Sequence, residues 1–78
     1  MKTFFMVVDR DTHREDEYEI CVSLPAAMEA AQKRLDEAKG CYDDPKVEIR
    51  QKEGQWWIAE SLCGSFRIDV RAVEVPVS

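Results

Sequence analysis

The sequence predicts an α+β fold in which one helix packs on one face of an antiparallel sheet of about five strands, in the order β-β-α-β-β-β. Three observations predict it: segments that alternate apolar and polar residues, one apolar stripe at helical spacing, and isolated glycines between the later segments. With 78 residues the chain has room for a single domain, residues 1–78, with one modest core.

Two strands are predicted before the helix. Segment 3–9 is rich in β-branched and aromatic residues, and segment 17–23 alternates apolar and polar residues along its length. The residues expected to share one face are Phe4, Met6 and Val8 in the first strand, and Tyr18, Ile20 and Val22 in the second. The polar stretch 10–16 connects the two strands.

The helix is predicted over residues 24–39. Ser23 is the expected N-cap, Pro25 fits the first turn, and Gly40 stands where a left-handed residue commonly ends a helix. Apolar residues recur between them at steps of three and four, and they are Leu24, Ala27, Met28, Ala31, Leu35 and Ala38. This stripe indicates one buried helical face.

Three further strands are predicted after the helix, over segments 46–53, 55–63 and 66–75. Turns are expected at Asp43-Asp44-Pro45, at Glu53-Gly54 and at Gly64-Ser65. A helix that covers one face of such a sheet leaves the other face open.

The adjacent Trp56 and Trp57 must point to opposite faces of a regular strand. Ile58 and Leu62 share their phase with Trp56, so we expect these three on the side of the helix and Trp57 on the open face. The expected open-face apolar patch comprises Trp57, Phe5, Val7 and Cys21. A bulge that shifts the phase, a loop that covers the patch, and a homodimer through this face are the alternatives.

Sixteen acidic and eleven basic residues give a net charge of −5. This charge opposes phosphate backbones, so we expect no direct nucleic-acid binding and favour a protein or ribonucleoprotein partner with a basic surface. The candidate partner-binding residues are Asp9, Asp11, Glu15, Asp16, Glu17, Glu19, Asp36, Glu37, Asp43 and Asp44, together with Phe5 and Trp57. The alternative is that each charged cluster is simply a solvated loop.

Catalytic and metal-binding patterns are missing from the sequence. Cys21, Cys41 and Cys63 are widely spaced, and His13 is the one histidine, so we expect no metal, cofactor or enzyme activity. A small enzyme built around His13 is a distant alternative. The apolar segment 4–8 is too short for a signal peptide or membrane span, and an odd number of dispersed cysteines suits a reducing cytoplasm.

Four short features extend over most of the chain: Met1-Lys2 leading into a strand, Ser23-Leu24 opening the helix, Cys41 in the next turn, and Gly54-Gln55-Trp56 entering a late strand. In these features the chain resembles the small phage-encoded anti-CRISPR proteins that inhibit type I surveillance complexes. The resemblance implies a stoichiometric inhibitor in the host cytoplasm that occupies a basic guide- or DNA-binding surface and blocks target hybridisation. The alternative function is a homodimeric structural or adaptor domain that associates through its open sheet face.

Overall fold

The computed structural model describes residues 2–42, 46–52 and 56–76. Within these ranges five antiparallel strands form one sheet and one helix follows the second strand, which confirms the predicted α+β fold and its order of elements. The elements are β1 (Lys2–Asp11), β2 (Glu17–Cys21), α1 (Leu24–Gly40), β3 (Val47–Lys52), β4 (Trp56–Ser61) and β5 (Phe66–Val75). Across the sheet the order is β2-β1-β5-β4-β3.

The two ten-residue strands β1 and β5 form the centre of the sheet. They pair along their whole length, from Lys2 opposite Val75 to Asp11 opposite Phe66. β1 extends two residues beyond its predicted end at Asp9, because Arg10 and Asp11 also pair with β5. The predicted bounds of β5 are confirmed.

The strand β3 begins at Val47, one residue after the predicted start at 46, and β4 ends at Ser61, two residues before the predicted end at 63. Residues 53 and 55 of the predicted segments lie outside the described residues. The turns predicted at Asp43-Asp44-Pro45 and Glu53-Gly54 lie outside the described residues. The predicted turn at Gly64 is present: its φ is 77°, and its N–H donates to the carbonyl of Ser61 at 3.0 Å. Glycine adopts this left-handed conformation without a steric penalty.

The helix α1 begins as its sequence predicts. Ser23 has an extended backbone, and its hydroxyl accepts the backbone N–H of Ala26 at 3.3 Å, so it caps the first turn. The helix buries one face, formed by Ala27, Ala31, Leu35 and Ala38. Three of these four residues are alanine, which lets the helix approach the sheet closely.

The end of α1 differs from the prediction. Gly40 is the last helical residue and not a left-handed one, so that prediction is wrong. Cys41 is the C-cap with a right-handed backbone, and its N–H donates to the carbonyl of Ala38 at 3.1 Å. This i→i−3 hydrogen bond tightens the last turn, so a left-handed glycine is not needed there.

The hydrophobic core lies between α1 and the strands β1, β4 and β5, and Trp57 of β4 belongs to it with 6% of its surface exposed. Trp57 pairs with Val70, and Val70 pairs with Val7, so all three point to the face that the helix covers. The predicted exposure of Trp57 is therefore wrong. So is the placement of Phe5, Val7 and Cys21 on the open face, because these residues pack in or against the core.

The two faces of β4 are the reverse of those predicted from the sequence. Ile58 lies on the open face, and Leu62 follows the strand and is exposed. The covered side of β4 holds Trp57 and the small residues Ala59 and Ser61, all of which are buried. Alanine and serine are only weakly hydrophobic, so the sequence pattern does not mark their face as the buried one. The larger Ile58 therefore led to the prediction that its own face is covered by the helix.

Candidate functional site: an acidic corner and an open sheet face

Six carboxylates gather where β1 ends, the connection turns and β2 begins. This acidic corner consists of Asp9, Asp11, Glu15, Asp16, Glu17 and Glu19. The sheet register places two of them side by side, because Asp9 pairs with Glu17 across β1 and β2. Shared contacts with Arg14 and Arg34 bring Asp9, Asp11 and Glu17 together, while the other three carboxylates adjoin them along the chain.

Arg34 of α1 joins the helix to the corner. Its Nη1 atom donates to Oδ2 of Asp9 at 3.2 Å and to Oε2 of Glu17 at 3.0 Å. Asp9 lies on the same helix-covered face of β1 as Val7 and is only 5% exposed, so its charge needs a buried partner. The hydrogen bond that Arg34 donates to Glu17, aided by the one that it donates to Asp9, outweighs burial and raises the pKa of Arg34, which stays charged.

Two more arginines surround the corner. Arg14 lies 3.8 Å from Asp9, 3.7 Å from Asp11 and 3.9 Å from Glu17, while Arg10 lies 3.5 Å from Asp16. Both arginine side chains are half exposed, and ion pairs of this kind are individually weak. Six carboxylates against three arginines leave the corner negatively charged.

Asp11 is the most constrained carboxylate of the corner. Its Oδ1 atom accepts the backbone N–H of His13 at 2.8 Å, and the Tyr42 hydroxyl donates to its two oxygens at 3.1 and 3.2 Å. The hydrogen bond from His13, aided by Tyr42 and by the charge of Arg14, outweighs burial and lowers the pKa of Asp11. Its charge is thus maintained at neutral pH.

The outer part of the corner faces solvent. Glu15, Asp16 and Glu17 are exposed, and Glu15 forms no ion pair with any other described residue. The corner therefore has a fixed inner part, held by Arg34 and Tyr42, and an outer part that is accessible to a partner.

The remaining predicted acidic residues are dispersed. Asp36 and Glu37 are exposed on α1, and Oδ1 of Asp36 accepts a hydrogen bond from Gln32 at 3.0 Å. Glu37 lines a shallow groove between α1 and β2, which also contains Glu17 and Glu19. Asp43 and Asp44 lie outside the described residues.

The two predicted aromatic contacts, Phe5 and Trp57, are not on the open face. Trp57 is buried, and Phe5 is partly buried against the core. The tryptophan on the open face is Trp56, which pairs with Arg71 of β5 and is partly buried. Trp57 is therefore too deeply buried for the predicted surface contact, and Phe5 lies on the helix-covered face instead of the open one.

The open face has an apolar half over β2 and β1. Tyr18 and Ile20 are each 59% exposed, and Val22, just after β2, is 75% exposed. Their neighbours Phe4 and Met6 on β1 are partly buried. The alternation of apolar residues at Tyr18, Ile20 and Val22 predicted that these side chains share one face of β2, but it could not show that the helix covers the opposite face.

The other half of the open face is charged. Asp69 is only 1% exposed on this face, with its carboxylate 3.7 Å from Nε of Arg67 and 3.5 Å from Nε of Arg71. The cations that the register assigns to the open face are Lys2, Arg10, Arg50, Lys52, Arg67 and Arg71, and the carboxylates are Glu48, Glu60 and Asp69. Net positive charge thus lies on this face although the chain as a whole is acidic.

Two titratable groups outside the acidic corner, His13 and Cys63, lie in the connections that follow β1 and β4. His13 is exposed in the connection after β1, with its ring 6.5 Å from that of Tyr42. The Cys63 thiol lies 2.9 Å from the Ser65 hydroxyl, which lowers the pKa of Cys63. Among the described residues, no cluster of three or more His, Cys, Asp or Glu side chains could hold a metal ion.

Comparisons with known proteins found no matching family model, curated protein or solved structure. In the described ranges no helix has the length and apolar character needed to cross a membrane.

Proposed function

We propose that this chain is a non-catalytic protein-binding domain whose acidic corner occupies a basic, nucleic-acid-binding surface of a partner. The observation that supports this proposal is the concentration of six carboxylates against three arginines at one corner of the fold. Carboxylates arranged in this way attract Lys and Arg side chains and compete with phosphates for them.

The hydrogen bonds within the corner support this function further. Arg34 and Tyr42 fix the inner carboxylates of Asp9 and Asp11, so less conformational entropy is lost when a partner binds. The exposed side chains of Glu15 and Asp16 are then positioned on a rigid base. These two residues are the ones we expect to contribute most to association.

The general proposal is tested by affinity capture from a nuclease-treated host lysate. The double variant Glu15→Lys with Asp16→Lys should lose most captured nucleic-acid-binding proteins, because it reverses the outer charge of the corner. Glu29→Lys with Glu48→Lys is the matched control, since both residues are exposed outside the corner and the net charge changes equally. Equal capture by the double variant and the control would contradict the proposal, as would capture of proteins that bind no nucleic acid.

The resemblance to small anti-CRISPR proteins supplies a more specific form of the proposal. In this form the chain is a phage protein that inhibits a type I surveillance complex in the host cytoplasm. A purified, guide-loaded complex should then lose binding of target DNA in a gel-shift titration as the chain reaches stoichiometric amounts. Unchanged DNA binding at a large excess of the chain would exclude inhibition of target binding for that complex.

A further inference from the structure

We propose that β2 pairs antiparallel with β2 of a second copy of this chain, so that two five-stranded sheets join into one continuous sheet. β2 is an edge strand, and its outer side has no partner among the described residues. This inference does not require the basic partner proposed above, although the groove beside β2 shares Glu17 and Glu19 with the acidic corner.

The two edges of the sheet differ in how well they are protected. On the open face, β3 carries the charged residues Glu48, Arg50 and Lys52, which discourage pairing with another strand. On the same face β2 carries Tyr18 and Ile20, both mostly exposed. Each edge carries charged side chains on one face, since β2 has two glutamates on its helix-covered side. β2 and the residue after it nevertheless expose three large apolar side chains, whereas β3 exposes one, so β2 is the edge more inclined to associate with another strand.

The alternation of β2 determines which register a second copy would adopt. A two-fold axis at Ile20 places Ile20 opposite its own copy and Tyr18 opposite Val22, so apolar residues meet on the open face. On the other face it places Glu19 opposite Cys21. An axis at Glu19 would instead place two glutamates directly opposite each other, which is unfavourable.

The groove between α1 and β2 is self-complementary in charge. It is lined by the cations Lys33 and Arg34 and by the carboxylates Glu17, Glu19 and Glu37. A two-fold axis perpendicular to the sheet keeps both helices on the same side and brings two such grooves together. Each copy then offers both signs of charge to the other, as an isologous interface requires.

Association through the flat open faces fits the charges less well. The register assigns six cations to this face against three carboxylates, and one of these, Asp69, is almost completely buried. Two such faces in contact would oppose arginine with arginine. The edge of β2 is therefore the better position for a second copy than the open face as a whole.

Sedimentation equilibrium of the intact chain tests the dimer. Between roughly 1 and 100 µM we expect a monomer–dimer equilibrium, and Ile20→Asp should raise the dissociation constant at least about tenfold. Ile49→Asp is the matched control, because Ile49 is 53% exposed on the other edge strand against 59% for Ile20. A monomer throughout this range, or equal association of the two variants, would overturn the proposal.

Disulfide trapping tests the register without depending on affinity. In a background in which Cys21, Cys41 and Cys63 are replaced by alanine, Ile20→Cys should form a covalent dimer under mild oxidation. Residues directly opposite in an antiparallel pair have Cα atoms about 4.5–5.5 Å apart, which suits a disulfide. Ile49→Cys should stay monomeric, and faster trapping through Glu19→Cys than through Ile20→Cys would overturn the proposed register.

Discussion

Trp57 and Trp56 are neighbours in the chain, but replacing each with alanine should destabilise the fold by different amounts. Trp57→Ala should lower the free energy of unfolding by about 3–5 kcal/mol, because it leaves a cavity in the core. Trp56→Ala should cost less than half as much, since Trp56 lies on the open face. Urea unfolding of both variants measures the difference, and equal losses would show that the strand phase is wrong.

Arg34 should matter more for stability than an arginine on the surface. Arg34→Met keeps much of the apolar stem but leaves the carboxylate of Asp9 without its hydrogen-bonded cation, which should cost about 2–3 kcal/mol. Arg50→Met, at a half-exposed ion pair, should cost less than about 1 kcal/mol. The double variant Arg34→Met with Asp9→Leu should recover part of the loss in denaturant unfolding, and no recovery would contradict the pairing.

Asp11 should make the stability of the fold depend on acid pH. Its pKa is lowered in the folded state by the His13 N–H, with help from Tyr42 and Arg14, so the folded state binds fewer protons than the unfolded state there. The stabilisation is complete above the ordinary aspartate pKa of about 3.9 and is lost as the pH falls through the lowered value. Asp11→Asn should therefore lose less stability than the wild type between neutral pH and pH about 3.

Thermal unfolding followed by circular dichroism at each pH measures this effect. Glu48→Gln is a suitable control, because Glu48 is exposed on β3 and lies far from the corner in the sheet order. An identical acid dependence of Asp11→Asn and the wild type would contradict the role given to the hydrogen bonds of Asp11.

The start of α1 depends on one side chain. The Ser23 hydroxyl accepts the N–H of Ala26, so Ser23→Ala should lower the free energy of unfolding by about 1 kcal/mol. Ser23→Gly should cost only a few tenths of a kcal/mol, because glycine is tolerated at an N-cap. Equal costs for the two substitutions in urea unfolding would show that the cap does not act through this hydroxyl.

The elements could be predicted from local patterns because their causes are local. The cap at Ser23, the alanine-rich stripe and the alternation in segment 66–75 each lie within one stretch of sequence. Which residues lie on each face of the sheet could not be predicted in this way, because it depends on pairing between strands that are distant in sequence. Trp57 belongs to the core through its register with Val70, and no feature of segment 55–63 alone reveals that register.

The candidate site shows the same division between local and distant causes. The carboxylates of segment 9–19 are close in sequence, so their clustering was predictable. Arg34 lies 25 residues from Asp9 in the sequence, and its hydrogen bond to Asp9 depends on how the helix packs on the sheet, which the sequence pattern does not show. Because the sequence analysis placed Val7 on the open face, it gave no indication that Asp9, on the same side of β1, is buried and needs such a partner.

For the whole molecule, the net charge of −5 does not describe any single surface. The acidic corner concentrates negative charge, whereas six of the eleven basic residues lie on the open face, including Arg10, which also pairs with Asp16 of the corner. Electrostatic steering depends on such local fields as well as on the total charge. The binding proposal therefore relies on the corner and not on the overall composition.

Competition with nucleic acid tests the central claim most directly. The chain, bound to a captured nucleic-acid-binding partner, should be displaced when DNA or RNA for that partner is added in excess. The double variant Glu15→Lys with Asp16→Lys should be displaced at lower concentrations of nucleic acid than the control variant Glu29→Lys with Glu48→Lys. If the chain and the nucleic acid instead bind the partner together, the acidic corner does not occupy a nucleic-acid-binding surface and the account is contradicted.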